Sequence, residues 1–533
     1  MSIVSNAALA SVGFIADIRP DLLPIAAFSD ARNVRFRQGS VQAIKGEFNI
    51  YQAPSVEPYF AIQFKPVGEV VGWVYCGLTK IYAFQEGTNS NLTRQTASVD
   101  VNYTALATSR WNGGTLNNVI VLNNGQDVPQ SWTSLDTSVR MQDLANWPST
   151  WRAECIRPFK NFLLALDVTE SSVRYPTRLR WSHPADPGTV PVSWDETDVT
   201  KDAGETPVGN SFGKLVDAVP LRDSMVLYKE DSVYLLSYIG GTFIFKVIGL
   251  FQNFGMPARD CAVEFKPGQH IVFTGSDLLV HDGQTSQSLL EERAKTWLAR
   301  VDKTKISQCF VVADPQHEEV MFCYPTADRV GGYGGLVQEA IIWNWRLNVL
   351  SYRDLRKTNF IVNGVFDSSQ FLDDAWDSAI GTWPDETIPW DISGAFIGTR
   401  QLTFCLSTPA LAMGNFGYLA DALPFQTRLA RSGIGFPVHQ QTLPDVTSMK
   451  FLRGVWPRFT GGDGETVQIR IGWQRQVDQA IEWGLTQDFV IGTSFSVYCT
   501  VSARTFAIEV SSYGVFPWTL SSIDFDASPA GKL

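Results

Sequence analysis

The sequence predicts an all-β protein: a β-propeller-like main domain with an additional C-terminal β-rich domain. Three observations carry this. Apolar residues alternate with period two through most of the chain. Turn formers and aromatic residues are abundant. A turn followed by a strand recurs at a spacing near 46 residues.

The alternation is clearest in four segments. Phe243, Phe245 and Val247 share a face, as do Ile341, Trp343, Trp345 and Leu347. Near the end of the chain, Phe495, Val497, Cys499 and Val501 alternate with Ser496, Tyr498 and Thr500. Phe506, Ile508 and Val510 do the same with Ala507 and Glu509. Side chains two apart lie on one side of a pleated strand, so this spacing reads as strand. The 12% of aromatic residues suit strands, and 42 Gly with 27 Pro supply turns between them. One segment breaks the pattern. Leu290, Ala294, Trp297, Leu298 and Val301 fall on one helical face, which predicts a helix there.

The repeat is a matter of shape. Gly77 to Phe84, Lys229 to Leu236 and Gly275 to Gly283 each read as a tight turn entering a strand. The second and third begin 46 residues apart, and the turn at Asn123–Gly125 follows Gly77 by the same interval. That period matches one four-stranded propeller blade, with an array of β-sandwiches as the competing architecture. The resulting division is an entry segment with first strands over 1–50, a propeller-like domain with inserted loops over 51–400, and a sandwich-like region over 401–533. The longest insertions are His183 to Gly209 and Asp367 to Gly398, the latter carrying Trp376, Trp383 and Trp390.

Composition narrows the function. The formal net charge is -11 and no run of Lys and Arg occurs, which argues against a protein that grips nucleic acid by its phosphates. Only 18% of residues are charged, as suits a surface covered by neighbours in an assembly, though a large monomer also needs fewer charges. Seven scattered cysteines without a CxxC pair read as small buried hydrophobes in a reducing compartment. The first residues lack a secretory pattern, and no apolar run approaches the roughly 20 residues of a spanning helix. Synthesis in a cytoplasm is expected, and the triplets at Asn91 and Asn102 are chance glycosylation matches.

Motifs for chemistry are weak. His183, His270, His281, His317 and His439 form no metal-binding spacing. Gly209-Asn210-Ser211-Phe212-Gly213 matches GxSxG, but the preceding residues do not read as the buried strand that a nucleophile elbow requires. Gly331 to Gly335 lacks the Lys and Ser/Thr of a phosphate loop and reads as a hairpin tip. The acidic loop with Asp186, Asp195, Glu196, Asp198, Asp202 and Glu205 could hold paired glycosidase carboxylates, though solvated carboxylates are the commoner case. Trp343 and Trp345 read as packing residues, and Trp383 and Trp390 as interface candidates. The expectation is no enzyme, with no catalytic, cofactor-binding or metal-ligating residue.

Three stretches resemble the tail nozzle proteins of podoviruses (short-tailed bacteriophages), also called tail tubular protein B, and the related tail hub or stabilisation proteins. The first is Ala31-Arg32-Asn33-Val34-Arg35-Phe36-Arg37-Gln38-Gly39 followed by Ile44-Lys45-Gly46. It looks like the family's opening Asn-Val-x-Phe-Arg-x-Gly strand turning into Lys-x-Gly, although here Lys45 and Gly46 are adjacent. The second runs from Arg157-Pro158-Phe159-Lys160-Asn161-Phe162-Leu163 to Arg178-Leu179-Arg180-Trp181-Ser182, then through Trp194 and Leu221 to Tyr238. The third is Ala503-Arg504-Thr505-Phe506 with Val510 to Trp518-Thr519-Leu520. Asp367 to Val446 lies outside the resemblance.

The resemblance implies a virion structural protein without catalytic residues. Its subunits would form a homohexameric ring at the end of a short tail, below an adaptor ring bound to the portal. The ring would help hold tail fibres or spikes, close the DNA channel, and open for genome ejection. Genomic DNA would pass without specific binding, and contact with the host cell surface is possible in such a position. The alternatives are a propeller glycan hydrolase and a carbohydrate-binding tail module.

Overall fold

A computed structural model describes residues 2–6, 8–49, 53–67, 70–209, 211–241, 243–327, 334–365, 400–436, 445–477 and 479–531. The protein is all-β, with a propeller and an additional C-terminal β domain. Blades one to six are meanders of consecutive antiparallel strands, and inner strands such as Gly72–Cys76 and Val119–Asn123 are buried along their whole length, as strands covered on both faces are. Blade one comprises Phe60–Phe64, Gly72–Cys76, Ile81–Gln85 and Thr88–Asn91. Blade two comprises Asn112–Leu116, Val119–Asn123, Gln130–Trp132 and Gln142–Asp143. Blade three comprises Trp151–Phe159, Phe162–Glu170, Val173–Trp181 and Gly204–Pro207. Blade four comprises Leu215–Leu221, Ser224–Lys229, Val233–Tyr238 and Phe245–Phe251. Blade five comprises Ala262–Lys266, Gln269–Phe273, Leu278–His281 and Ser286–Ser288.

Blades six and seven share a strand. Phe310–Asp314, Glu319–Tyr324 and Val337–Asn344 pair in order with the first part of Val349–Val365. At Thr358 that same strand pairs with both blades, and from Phe360 onward it pairs with Arg400–Leu406. Ala410–Gly414 follows, and the outer position is filled from the other end of the chain by Glu47–Asn49. Seven blades are thus formed among the described residues. From blade two round to blade seven, and from blade seven to blade one, the first strands of successive blades lie against one another around the axis. The ring closes where Phe60 of blade one stacks on Phe360 of blade seven at 5.5 Å. Beside them the Gln63 amide accepts from the Val365 N–H and donates to its carbonyl, at 2.8 and 2.5 Å.

The C-terminal domain is a sandwich. One sheet runs Val497–Ala503, Met449–Thr460, Thr519–Gly531, Ser40–Ala43, Val34–Arg37, with Ser2–Asn6 also paired to Thr519–Gly531. The other runs Asp30–Arg32, Thr427–Ile434, Thr505–Ser512, Thr466–Gln474. Phe436 packs between the layers, against Phe506 at 5.5 Å and Phe525 at 5.3 Å.

Several expectations are corrected. Residues 1–50 are no separate entry segment: they supply strands to the sandwich and the closing strand of blade seven. The change of domain lies beyond 401, since Arg400–Leu406 and Ala410–Gly414 still belong to blade seven. The segment from Leu290 to Val301 is turn followed by a 3-10 helix, Thr296–Arg300, rather than an α-helix. Glu292 has φ +59°, outside helical geometry. Asp17 accepts from the N–H groups of Lys295 and Thr296 at 2.6 and 3.1 Å, fixing the tighter turn. Leu290, Ala294, Leu298 and Val301 are buried all the same. Phe243, Trp345, Leu347 and Phe495 fall just outside their strands. At Trp345 the cause is Asn344, whose side-chain oxygen accepts from the N–H groups of Arg346 and Leu347 and turns the chain.

Candidate functional site

Two polar constructions hold the molecule together. The first occupies the propeller axis. Arg157, on the inner strand of blade three, donates to both carboxylate oxygens of Asp217 in blade four, at 2.7 and 2.9 Å. It also reaches Asp260, at the entry to blade five, at 2.8 Å. Arg110, at the entry to blade two, donates to Asp260 at 3.4 Å and to the carbonyls of Ser307 and Cys309 at 3.3 Å each. Its guanidinium lies 5.1 Å from the ring centres of both Phe310 in blade six and Phe360 in blade seven. Side chains from six blades can meet only on the axis, so the network spans the bore. Arg110 and Asp217 are 4% and 1% exposed. Burial alone would raise the Asp217 carboxyl, but Arg157 outweighs it and holds the group below its ordinary value. Burial pulls the Arg110 guanidinium down from its ordinary value. Small spaces of about 290 and 180 Å³ remain beside the network.

The second construction is built on Asp30 to Arg37. Asp30–Arg32 lies in one sheet of the sandwich and Val34–Arg37 in the other. Asn33 makes the switch at φ +55°, a conformation Asn tolerates better than most residues. Its side chain accepts from the Asp354 N–H at 2.8 Å and donates to the Asp354 carboxylate at 2.9 Å and the Gln426 carbonyl at 2.7 Å. Arg32 reaches the same carboxylate at 2.7 Å. Arg35 grips Glu319 of blade six through two parallel hydrogen bonds of 2.7 and 2.8 Å and donates to Asn415 at 2.9 Å. Asn415 in turn donates to Asp314 at 2.7 Å. On the sandwich side, Asp30 accepts from Tyr352 and Arg428 at 2.5 Å each, and Arg428 joins Arg470 on Glu509. Burial would lower the Arg35 guanidinium, but the Glu319 carboxylate outweighs it and raises the group above its ordinary value. Bidentate pairs of this kind fix orientation as well as charge.

The residues singled out in the sequence do not converge on one site. His270 and His281 are buried on neighbouring strands of blade five. His183 accepts from the Asp202 N–H at 3.0 Å, and His317 lies 2.9 Å from Asp314. No group of three or more His, Cys, Asp and Glu able to hold a metal ion occurs among the described residues. Ser211 lies beside Lys229, whose ammonium donates to its hydroxyl at 2.6 Å and to the carbonyls of Ser211 and Val208 at 2.8 and 3.1 Å. Three donors meet three acceptors, which is a satisfied buried lysine. In the acidic loop, Glu196 pairs with Arg180 at 2.6 Å, and Glu205 with Arg180 and Arg178 at 2.8 and 2.9 Å. The Arg180 hydrogen bond holds the Glu196 carboxyl below its ordinary value, the opposite of a glycosidase acid. Trp343 is buried as expected, and Trp345 is half-buried. His439, Trp376, Trp383, Trp390 and Gly331 to Tyr333 lie outside the described residues.

No protein-family model matches the sequence, and no curated protein matches it. Among solved structures the chain is similar to the WD40 propeller domain of Doa1, at 7% identity and a TM-score of 0.36, covering 70% of this chain and 96% of that one. It is similar also to a GH74 xyloglucanase from Xanthomonas campestris, at 11% identity and a TM-score of 0.35, covering 69% and 58%. A third is the WD40 domain of Neurospora crassa Pan2, at 10% identity and a TM-score of 0.28, covering 55% and 85%. Likenesses this remote carry no statement about activity.

Proposed function

We propose that this protein is a virion structural subunit, the nozzle of a short phage tail, which assembles as a ring that closes the DNA channel and opens for genome ejection. The observation that carries the reading is where the three resembling stretches lie. The first and third come from opposite ends of the chain, yet Ser40–Ala43 pairs with Thr519–Gly531 in one sheet, and Arg35 locks that sheet to blade six. The second builds blade three and much of blade four and supplies Arg157 to the axis. The resemblance thus falls on the framework that makes propeller and sandwich one body.

Because the network of Arg110, Arg157, Asp217 and Asp260 crosses the propeller axis, a conduit for DNA runs between copies in this reading. A closed ring of copies needs two different complementary faces on each. Exposed apolar side chains available for them include Tyr238, Ile239 and Phe243 beside blade four, and Leu485, Phe495 and Tyr498 on the sandwich. The net charge of -11 lets DNA slide through without being held. The partners are further copies, the adaptor ring beneath the portal, and tail fibres or spikes.

The test is assembly. The purified protein is imaged and its mass measured, first alone and then with the adaptor and portal proteins of the same virus. Six-fold rings, alone or seated on the adaptor, are the expected result. A protein that stays monomeric in both settings overturns the proposal.

A further inference from the structure

We infer that the groove between blades five and six is a binding site for an uncharged oligosaccharide. The groove has a volume of about 690 Å³, within the roughly 300–1,000 Å³ of small-molecule clefts. It is independent of the nozzle reading, which requires no such site.

Its wall is aromatic and rigid. Phe265 of blade five packs against Trp343 at 5.2 Å and Trp345 at 5.5 Å. The Trp343 indole N–H donates to the Asn348 side-chain oxygen at 3.1 Å. Arg293 donates to that oxygen at 3.1 Å and to the Asn348 carbonyl at 2.9 Å, tying the far rim to the same turn. The rings are therefore held in place before any ligand arrives. Trp345 is only half-buried and lines the groove, giving a flat apolar surface for the C–H face of a pyranose ring.

The remaining lining consists of hydrogen-bonding groups of both kinds. Gln269 and Gln287 are exposed on the second and fourth strands of blade five, with Leu278–His281 between them, each with an acceptor oxygen and a donor nitrogen. Adjacent sugar hydroxyls need this pairing of donor and acceptor. Lys266 and Arg293 are balanced by Glu291 and Glu292, so the groove carries no net charge. With two cations and two carboxylates in its lining, the groove offers phosphate chains and acidic peptides no net attraction. An aromatic platform, paired amides and neutrality together describe a saccharide.

The experiment uses the full-length protein and isothermal titration. The probes are neutral tetrasaccharides built from glucose, galactose, mannose and N-acetylglucosamine, an anionic uronic-acid tetrasaccharide, and a library of capped nonapeptides. At least one neutral oligosaccharide is expected to bind saturably, with affinity unchanged as salt is raised. Trp345→Ala is expected to weaken it by about tenfold or more. The double variant Gln269→Ala/Gln287→Ala, at two exposed positions that the fold does not depend on, is expected to weaken it by about tenfold, as the loss of two hydrogen bonds predicts. Binding of peptides alone, binding of only the anionic sugar, an undiminished double variant, or no binding by any neutral sugar each overturns the inference.

Discussion

The Tyr228 hydroxyl stands between two buried histidines, and the distances fix where the protons are. His270 Nε2 lies 2.6 Å from the Pro220 carbonyl, so it carries a proton and donates there. Its Nδ1 then accepts from the Tyr228 hydroxyl at 2.8 Å, and the Tyr228 oxygen accepts from His281 Nε2 at 2.7 Å. The chain ends at His281 Nδ1, which is buried without a partner. A second proton on His281 has nothing to receive it. Burial, with His270 beside it, pushes His281 down to about 3. In the unfolded chain it titrates near 6.5. Above that pH both states are neutral and the folded state keeps its full advantage. As pH falls from 6.5 toward 3, only the unfolded chain takes up the proton, so stability is lost at up to about 1.4 kcal/mol per pH unit. Urea midpoints measured at pH 7, 6 and 5 should therefore fall, and fall less steeply in His281→Gln. Parallel curves for the two proteins would show that this histidine does not stay neutral.

At the scale of elements, the hairpin turns were the legible part. The turns at Gly77, Asn123, Lys229 and Gly275 all join the second strand of a blade to the third, in blades one, two, four and five. The 46-residue spacing reports that equivalence. It holds into blade three, where Ser171–Ser172 joins the second strand to the third, and lapses toward blade four because the acidic loop separates the last two strands of blade three. It lapses again toward blade seven because residues 366–399 intervene before Arg400–Leu406, and the outer strand of that blade comes from residues 47–49. No local pattern could announce a strand contributed from the far end of the chain. The predicted helix failed for a related reason: the side chain that tightens it, Asp17, is distant in sequence. The candidate site was least legible, because Arg35 and Arg157 look like ordinary strand arginines until Glu319 and Asp217 are placed opposite them. Gly46, by contrast, was marked by the resemblance and has a clear physical role. Its N–H donates to the Gly417 carbonyl at 3.0 Å, and a Cβ there would lie 1.7 Å from the Leu419 carbonyl oxygen. Two backbones pass too closely for any side chain. Gly46→Ala should cost about 1–3 kcal/mol as an overpacked site. It should also speed hydrogen exchange at Glu47–Asn49, the strand that closes blade seven. Unchanged exchange in that strand would separate Gly46 from ring closure.

For the whole molecule, the decisive question is whether propeller and sandwich behave as one body. Three features bind them. Tyr352 of the strand shared by blades six and seven is bridged to Arg32 of the sandwich. The chain enters the propeller from the sandwich and returns to it, so neither domain has a free end in the other. Arg35 and Glu319 meet across the joint, both buried, with Asn415 and Asp314 extending the network into the propeller. Breaking a buried pair leaves an uncompensated charge and costs about 3–5 kcal/mol, more than most surface pairs by severalfold. The intact protein should accordingly unfold in one calorimetric transition, with calorimetric and van't Hoff enthalpies in agreement. Arg35→Met strands Glu319 in the joint and should split that transition in two, with one domain melting first. Adding Glu319→Leu removes the stranded charge and should restore part of the loss, because an apolar pair of similar size needs no counter-ion. If Arg35→Met instead melts as a single transition at the wild-type temperature, the ion pair does not couple the domains. The union would then rest on the Arg32 and Asn33 bonds to Asp354, the Tyr352–Asp30 bond and the strand pairing beside them.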